Sequence, residues 1–365
     1  MKEEWINIDK LGTKGIEPDL MAIHREPQSL DDAVNVRSLG PNLANAGGYT
    51  AVSNGTLPHA ANTLFLAKDT AQRLLVTCAK GDIYQFDGTT WTDITGTAVG
   101  DGSQGDVRWT GGWLTGALTL ANEQVVRTFK PGVDTTTQPM QYDPGGDTWE
   151  SLGNTAEVFR PFREYMIAGN VKWGADHYPS RIQWCHPVEP GQVPDDWVPT
   201  DTNFAGDVDL ADTPGSIVDM APLRDYLLVY KRDAIHTCKW VGGNSVFSFK
   251  RILTGEGLDS RDCLAEHNGV HYVLGLDDIL MVDGNTAHSI IWGRIKRTWL
   301  ADMDPVRSRN ANFVSIDQVN QEVLFHYIST SADPAYGFPD KALVLSLRNN
   351  SWTFRDYSVE MPHAL

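Results

Sequence analysis

His267 and His271 are spaced as two zinc ligands would be on one face of a helix. The residues between and after them, Asn268-Gly269 and then Tyr272-Val273-Leu274, indicate a turn that leads into a strand instead. Along a strand, residues four apart share a face but are separated by roughly 13 Å, which is more than one ion can bridge. We therefore expect no metal site here. We also expect no cofactor, because the sequence lacks a phosphate-binding or dinucleotide-binding glycine motif.

Acidic clusters are the second group of residues that could do chemistry. They occur at Asp195-Asp196, in segment 207–212 (DVDLAD) and at Asp277-Asp278. Paired carboxylates act as general acid and base in glycosidases, and segment 207–212 lacks the glycine and glutamate of a calcium loop. Charged residues are mostly exposed, so solvated acidic turns are the simpler interpretation. With no nucleophile or cofactor motif beside these clusters, we expect a protein that is not an enzyme.

Basic residues cluster in one place, segment 292–299 (WGRIKRTW), between two tryptophans. The candidate contact residues are Trp292, Arg294, Lys296, Arg297 and Trp299. Interleaved arginine and tryptophan could stack on nucleic-acid bases. They could equally pair with acidic residues of an adjoining subunit, and the overall charge favours that second interpretation.

Overall charge and composition narrow the class of protein. The chain of 365 residues has 30 Lys and Arg against 47 Asp and Glu, a net charge of −17. Such an excess of negative charge argues against a protein whose main task is to bind DNA by neutralising its phosphates. No apolar run approaches the ~18 residues of a membrane-spanning helix, and the first residues lack the apolar core of a signal peptide. Four scattered cysteines, at 78, 185, 238 and 263, are therefore expected to be free and buried.

The elements that position these residues are predicted to be strands. Helical periodicity is nearly absent, and the best helix candidate is the short segment 28–36 (QSLDDAVNV). Short apolar or alternating runs bounded by Gly, Asn, Asp or Pro dominate, which is typical of an all-β protein. Hairpin signals recur with Asp87-Gly88 and Asp283-Gly284 at the turn. Trp91, Trp149 and Trp352 follow such turns, and we expect them at equivalent places between neighbouring blades.

The spacing of these signals, near 45–50 residues, predicts a β-propeller of about six blades with an N-terminal arm. The six candidate units are about 55–100, 101–155, 156–204, 205–254, 255–300 and 301–357. We assign residues 1–54 to the arm, which could supply a ring-closing strand, residues 55–357 to the propeller and residues 358–365 to a C-terminal tail. Two stacked sheets in a β-sandwich are the alternative architecture.

Several short motifs, taken in order, carry a resemblance to a known family. They lie in segments 31–37 (DDAVNVR), 47–49 (GGY), 209–215 (DLADTPG), 218–240 (VDMAPLRDYLLVYKRDAIHTCKW), 255–258 (GEGL), 269–278 (GVHYVLGLDD), 282–284 (VDG), 340–344 (DKALV) and 350–356 (NSWTFRD). The series resembles the propeller-bearing tail nozzle or packaged-DNA stabilisation proteins of short-tailed double-stranded DNA bacteriophages. The chain ends soon after Tyr357, whereas larger nozzle proteins carry additional domains.

The resemblance implies a structural protein of the virion tail, assembled in the cytoplasm of the bacterial host. It implies a homo-oligomeric ring, of six subunits, around the DNA exit path. The implied partners are a head-to-tail adaptor or portal-proximal tail proteins, tail fibres or a tail needle, and DNA that passes without sequence-specific binding. On electrostatic grounds we expect acidic residues to face that DNA, with Asp207, Asp209 and Asp212 as candidates. The alternative function is a soluble glycan-binding or glycan-cleaving propeller.

Overall fold

The protein is an all-β, six-bladed β-propeller. A computed structural model describes residues 12–39, 42–47, 57, 61, 63–68, 73–79, 81–96, 108–334 and 337–357. In these residues, six four-stranded antiparallel sheets follow one another along the chain, each with its strands in sequential order. The predicted fold class and blade number are confirmed. Residues 1–11 of the predicted arm and the predicted tail at 358–365 lie outside the described residues.

The chain divides into two compact units, and blades 1 to 4 belong to the unit of residues 51–258. Their strands are β3 (Thr63–Lys68), β4 (Arg73–Ala79), β5 (Asp82–Phe86) and β6 (Trp91–Asp93) in blade 1; β7 (Thr110–Leu114), β8 (Ala117–Ala121), β9 (Val126–Phe129) and β10 (Gln138–Pro139) in blade 2; β11 (Thr155–Phe162), β12 (Tyr165–Trp173), β13 (Asp176–Trp184) and β14 (Gly206–Asp209) in blade 3; and β15 (Ile217–Leu223), β16 (Tyr226–Lys231), β17 (Ala234–Trp240) and β18 (Phe247–Thr254) in blade 4. A 3-10 turn, Gly243–Ser245, joins the last two.

Blades 5 and 6 belong to the unit of residues 1–50 and 259–361. The elements of this unit are the 3-10 turn Ala22–His24, β1 (Val36–Ser38) and β2 (Leu43–Asn45) near the N-terminus; β19 (Leu264–His267), β20 (Val270–Leu274), β21 (Ile279–Val282) and β22 (Ala287–Ser289) in blade 5; helix α1 (Lys296–Asp302) and the 3-10 turn Ser308–Asn310; and β23 (Phe313–Asp317), β24 (Glu322–Tyr327), β25 (Lys341–Ser346) and β26 (Ser351–Asp356) in blade 6.

Apolar side chains on both faces of the blades build the core. Every residue of β8 and β24 is buried, as are the first seven residues of β12. In the unit of blades 1 to 4, Val158 and Ile167 of blade 3 belong to one apolar cluster with Met220 and Val229 of blade 4. The first strand of blade 3, β11, contacts the first strands of blades 2 and 4, which are β7 and β15. The blades of this unit are therefore joined face to face by buried apolar surface.

The tryptophans expected at equivalent places are not equivalent. A four-residue turn precedes each of the strands that contain Trp91 and Trp352. Trp91 is the first residue after its turn and pairs with Phe86. Trp352 is the second residue after its turn. A shift of one residue places a side chain on the other face of a strand, and Trp352 is accordingly buried while Trp91 is half-buried. Trp149 lies outside the strands, although it packs in the cluster that joins blades 2 and 3.

Two further expectations about elements are wrong. Segment 28–36 contains no helix: it is irregular apart from single bridge residues and the start of β1. Among the described residues the α-helix lies instead at Lys296–Asp302, inside the basic segment. Strand β14 belongs to blade 3, although the predicted fourth unit began at residue 205. The long connection from β13 to β14 displaces that boundary.

The N-terminal arm, here residues 12–38, lies along the edge strand of blade 6. Gly15 and Val34 form parallel bridges to Trp352 and Phe354 of β26. The Ile16 amide donates to the Trp352 carbonyl at 2.9 Å, and the Phe354 amide donates to the Ala33 carbonyl at 2.8 Å. The arm thus satisfies backbone groups that an edge strand would otherwise leave open.

We predict that the four cysteines react only after unfolding. All four are free and buried, as expected from the sequence, and burial raises the pKa of the Cys185 thiol to about 12. Because the thiolate is the reactive form, a colorimetric thiol reagent at neutral pH should modify none of them in the native protein and all of them in guanidinium chloride. Rapid modification of the native protein would contradict this packing.

Gly15 of the arm and Gly47, which follows the arm in the chain, provide a matched test of the contact with β26. Gly15 and Gly47 both have positive φ, +71° and +78°, but a Cβ on Gly15 would lie 2.4 Å from the Trp352 carbonyl oxygen and one on Gly47 would meet nothing within 4 Å. Gly47→Ala should lower the free energy of unfolding by about 1–2 kcal/mol from backbone strain alone. Gly15→Ala should lower it further, measured by urea unfolding. An equal decrease in the free energy of unfolding for both variants would show that Gly15 does not pack against β26.

Candidate functional site

The basic segment 292–299 contains both surface and core residues. Trp292 is 73% exposed and Arg297 is exposed. Trp299 is fully buried in α1 and packs edge-on against Tyr327, with ring centroids 6.4 Å apart. Trp299 is therefore part of the core and cannot contact another subunit in the folded chain.

The arm supplies the cap of helix α1. The amides of Arg297 and Thr298 donate to the carboxylate of Asp19 at 2.6 and 3.1 Å, and the Thr298 hydroxyl donates to it at 2.7 Å. A carboxylate at this place satisfies amides that have no partner within the helix and interacts favourably with the helix dipole. The helix itself has no side-chain cap from the residue that precedes it, Ile295. The N-terminus of α1 is therefore a docking point for the arm.

Two of the three basic side chains in this segment pair with acidic residues of the same chain. The Nε atom of Arg294 lies 3.2 Å from the Glu17 carboxylate. The Nζ atom of Lys296 lies 3.1 Å from the Asp278 carboxylate and 5.2 Å from the centre of the Trp292 ring. The sequence favoured pairing with acidic residues of an adjoining subunit, whereas these contacts are made within the chain itself.

A second charged contact holds the arm to blade 6. Arg37 forms two hydrogen bonds with the carboxylate of Glu322, at 2.8 and 3.1 Å, and Arg355 donates to the same carboxylate at 3.0 Å. The Glu322 side chain is only 2% exposed. A buried carboxylate is costly unless it is paired and hydrogen-bonded, so loss of Arg37 from this place leaves Glu322 with one guanidinium instead of two.

The acidic residues proposed to face DNA each have a cationic neighbour. Asp207 and Asp209 lie on β14, the fourth strand of blade 3, and both side chains are exposed. The Arg181 guanidinium donates to Asp209 at 2.8 and 2.7 Å and lies 3.6 Å from Asp207. The hydrogen bonds from Arg181 hold the pKa of Asp209 below its usual value. This pair is therefore partly neutralised at the surface of the subunit.

Asp212 is similarly engaged. Its carboxylate lies 3.1 Å from Nε2 of the buried His236 and 3.5 Å from the Arg251 guanidinium. Burial lowers the pKa of His236, although the neighbouring carboxylate opposes that shift. The three carboxylates chosen from the sequence thus form two separate sites, one with Arg181 and the other with His236 and Arg251.

The two histidines belong to a hairpin. His267 ends β19 and His271 lies in β20, with Asn268-Gly269 forming the two-residue turn between the strands. The turn was predicted, but the two residues occupy neighbouring strands rather than one. Within the described part of the chain, no group of three or more His, Cys, Asp or Glu side chains could hold a metal ion.

An open groove of about 760 Å³ lies beside the connection from β13 to β14. It combines aromatic rings with hydroxyl and carboxylate oxygens. The lining includes Phe204, Phe249, Thr202, Asp201 and Asp207. The acidic pair Asp195-Asp196 lies in the same connection. Asp196 stabilises the connection, because it accepts a hydrogen bond from Asn203 at 2.9 Å.

No family model matches the sequence, and no curated protein matches it. Solved structures similar to this chain include the AfRom2 CNH domain, with 11% identity, a TM-score of 0.46 and coverage of 81% of this chain and 84% of that one. Another is the extracellular domain of the hybrid two component system BT4673 from B. thetaiotaomicron, with 11% identity, a TM-score of 0.42 and coverage of 74% of this chain. This chain spans 32% of that second structure's length.

In the described part of the chain, no helix is long and apolar enough to span a membrane.

Glu17 and Asp19, the acidic residues of the arm that bind the basic segment, were not predicted from the sequence. They are separated from their partners by 277 to 279 residues. The only feature of the sequence that could have indicated this pairing was a short acidic pair in the N-terminal segment, which could complement the basic segment 292–299. Charge alone does not determine such a pairing, because exposed acidic residues are abundant in this chain.

We predict that Asp19→Ala loosens the arm. The substitution removes three hydrogen bonds at the α1 N-terminus and should lower the free energy of unfolding by about 1 kcal/mol. It should also speed tryptic cleavage after Arg25. Asp32→Ala, which removes an exposed carboxylate elsewhere in the arm, is the control and should change neither quantity. Unchanged cleavage in Asp19→Ala would exclude capping by the arm.

Proposed function

We propose that this protein is a structural component of a bacteriophage tail, in the nozzle or head-to-tail channel. One observation carries the proposal: the motifs of the family resemblance occupy successive blades in order. Segment 218–240 covers β15 to β17 in blade 4, segment 269–278 covers β20 in blade 5, and segment 350–356 covers β26 in blade 6. Motifs that fall on strands of successive blades support a common architecture more strongly together than any one of them does alone.

In this role the chain forms a ring, with six copies, around the DNA exit path. It retains the packaged genome, guides its ejection and performs no turnover chemistry. Its partners are other copies of itself, a head-to-tail adaptor or portal-proximal proteins, and tail fibres or a needle. It resides in the virion tail and is assembled in the bacterial cytoplasm. A rigid propeller suits such a part, because broad interfaces matter here and large internal motions do not.

The charge of the chain supports passage of DNA without retention. Each Lys or Arg that contacts a phosphate adds a salt-dependent term that holds DNA in place. A net charge of −17 opposes this. Since Asp207, Asp209 and Asp212 have cationic neighbours, we propose that repulsion comes from the acidic excess as a whole and that these three contribute a share of it. Screening restricts the effect to roughly 8–10 Å at physiological salt.

The contact with a neighbouring tail protein is proposed at the α1 face, which we define as Trp292, Arg297, Met21 and Ile23. Met21 and Ile23 follow the docked Asp19 in the arm and are 71% and 84% exposed. Exposed tryptophan, arginine and methionine are typical of protein interfaces. Arg294 and Lys296 are excluded from this face because they bind Glu17 and Asp278.

A second candidate function is favoured by the groove beside the β13–β14 connection. Aromatic rings next to hydroxyl and carboxylate oxygens suit a sugar ring, so a glycan-binding or glycan-cleaving propeller is the alternative. Retained binding of bacterial surface polysaccharide by the purified monomer, lost in Phe204→Ala with Asp201→Asn, would favour it. In that alternative the protein is soluble and is not a virion part, so purified virions would not contain it as a stoichiometric component.

The test of the tail function uses the phage that encodes this chain. Quantitative mass spectrometry of purified virions should find several copies per particle, and gold-labelled antibody should mark the tail. One copy per virion, or its absence from virions, would contradict the proposal.

We further predict that Trp292→Ala combined with Arg297→Glu reduces tail assembly while the purified variant unfolds at the wild-type temperature. The double change removes the aromatic and cationic parts of the α1 face without touching the contacts of Asp19 through backbone amides. Arg309→Glu, at another exposed arginine of the same unit, is the matched control. Normal particle yield from the double variant would exclude the α1 face as the contact.

A further inference from the structure

A five-residue pattern is repeated in blades 3 and 4. Residues 161–165 read Pro-Phe-Arg-Glu-Tyr and residues 222–226 read Pro-Leu-Arg-Asp-Tyr. Each copy spans the end of the first strand, a two-residue turn and the start of the second strand, with Phe162 paired to Tyr165 and Leu223 to Tyr226. The two arginines therefore occupy the same place in adjacent blades.

Both arginines have an unfavourable backbone conformation. Arg163 has φ of +56° and Arg224 has φ of +55°, in the left-handed region. Two-residue hairpin turns of this kind favour Asn, Asp or Gly at that position. Strained residues that persist are concentrated at binding and catalytic sites. The repeated choice of arginine thus points to a use for the guanidinium groups.

The two turns border one groove of about 540 Å³, within the range of ligand pockets. Its lining includes apolar residues, among them Trp113 of blade 2 and the two prolines of the repeated pattern. The charged lining residues are Arg163, Arg224 and Asp225. Their formal charges sum to +1, in a protein whose net charge is strongly negative.

Arg163 is held in place by an aromatic ring. Its guanidinium carbon lies 4.9 Å from the centre of the Trp240 ring, and Trp240 is 41% exposed. Stacking of this kind fixes the plane of the guanidinium while its N–H groups remain able to donate. Within the described residues no side chain or carbonyl accepts a hydrogen bond from Arg163. Lys239, in the strand position opposite Tyr226, adds a further cation at this end of blade 4.

We propose that this groove binds an acidic peptide segment of a partner protein. The Arg163 guanidinium binds a carboxylate of the segment in the bidentate manner for which arginine is suited, and Arg224 adds positive charge to the same lining. Apolar residues of the segment lie against Trp113 and the two prolines. Arginine and tryptophan in a groove are the residues that dominate binding energy at protein interfaces. A nucleic acid is disfavoured, because a phosphate backbone is bound along a groove with many cations and this lining has only Arg163 and Arg224, next to Asp225. This site is independent of the tail function and of the α1 face.

The test uses asparagine substitutions. Arg163→Asn and Arg224→Asn remove the guanidinium groups but place a residue that the turn prefers. The folded proteins should therefore be as stable as wild type or more so. The probe is a fluorescent peptide in which Asp and Leu alternate, with its Lys-and-Leu counterpart as the charge control. Lys250→Asn, at an exposed cation on β18 of the same blade, is the matched protein control.

We expect fluorescence anisotropy to show salt-sensitive binding of the acidic peptide to wild type and Lys250→Asn, and at least about tenfold weaker binding to each arginine variant. The Lys-containing peptide should not bind. Absence of acidic-peptide binding to wild type, or equal binding by Arg163→Asn, would overturn the proposal. Displacement of the peptide by inorganic phosphate or by a short oligothymidylate at equal concentration would overturn the assignment to a peptide.

Discussion

A four-stranded sheet whose middle strands are apolar on both faces must be covered on both faces, and the rest of this structure depends on that constraint. Strands such as β8 and β24 have no solvent-facing side. A single blade would leave these side chains in water. Removing apolar surface from water stabilises the fold by about 25 cal/mol per Å². Face-to-face packing of successive blades meets the requirement, as the cluster shared by blades 3 and 4 illustrates.

Because the faces are occupied by packing, interaction surfaces are left at turns and at edge strands. The repeated arginines lie at turn tips, and Asp207 and Asp209 lie on an edge strand. The edge of β26 is itself covered by the arm, which Asp19 and the Arg37–Glu322 contact hold at two separate points. A helix terminus and a buried carboxylate thus reinforce the backbone bridges that place the N-terminal segment on β26. Arg294 and Lys296, whose charges appeared from the sequence to be available for a partner, are paired with Glu17 and Asp278 instead.

The all-β class and blade number could be predicted because their signals are local. Asp87-Gly88 and Asp283-Gly284 form turns in which the aspartate side chain accepts hydrogen bonds from following amides. Helix α1 could not be predicted, since its cap comes from a residue far away in the chain. The burial of Trp299 follows from that helix. The difference between Trp91 and Trp352 depends on one residue of register, which composition does not encode.

The pairing of the arm with blade 6 also imposes an order on synthesis. Arg37 and Glu322 are separated by 285 residues, so at 5–20 residues per second the arm emerges from the ribosome roughly 15–60 s before its partner. During that interval Ile16 and Ala33, buried in the finished protein, remain in water. Blades 1 to 4 can form in the meantime, because their cores draw on contiguous sequence. Docking of the arm on β26 therefore cannot precede synthesis of the last blade.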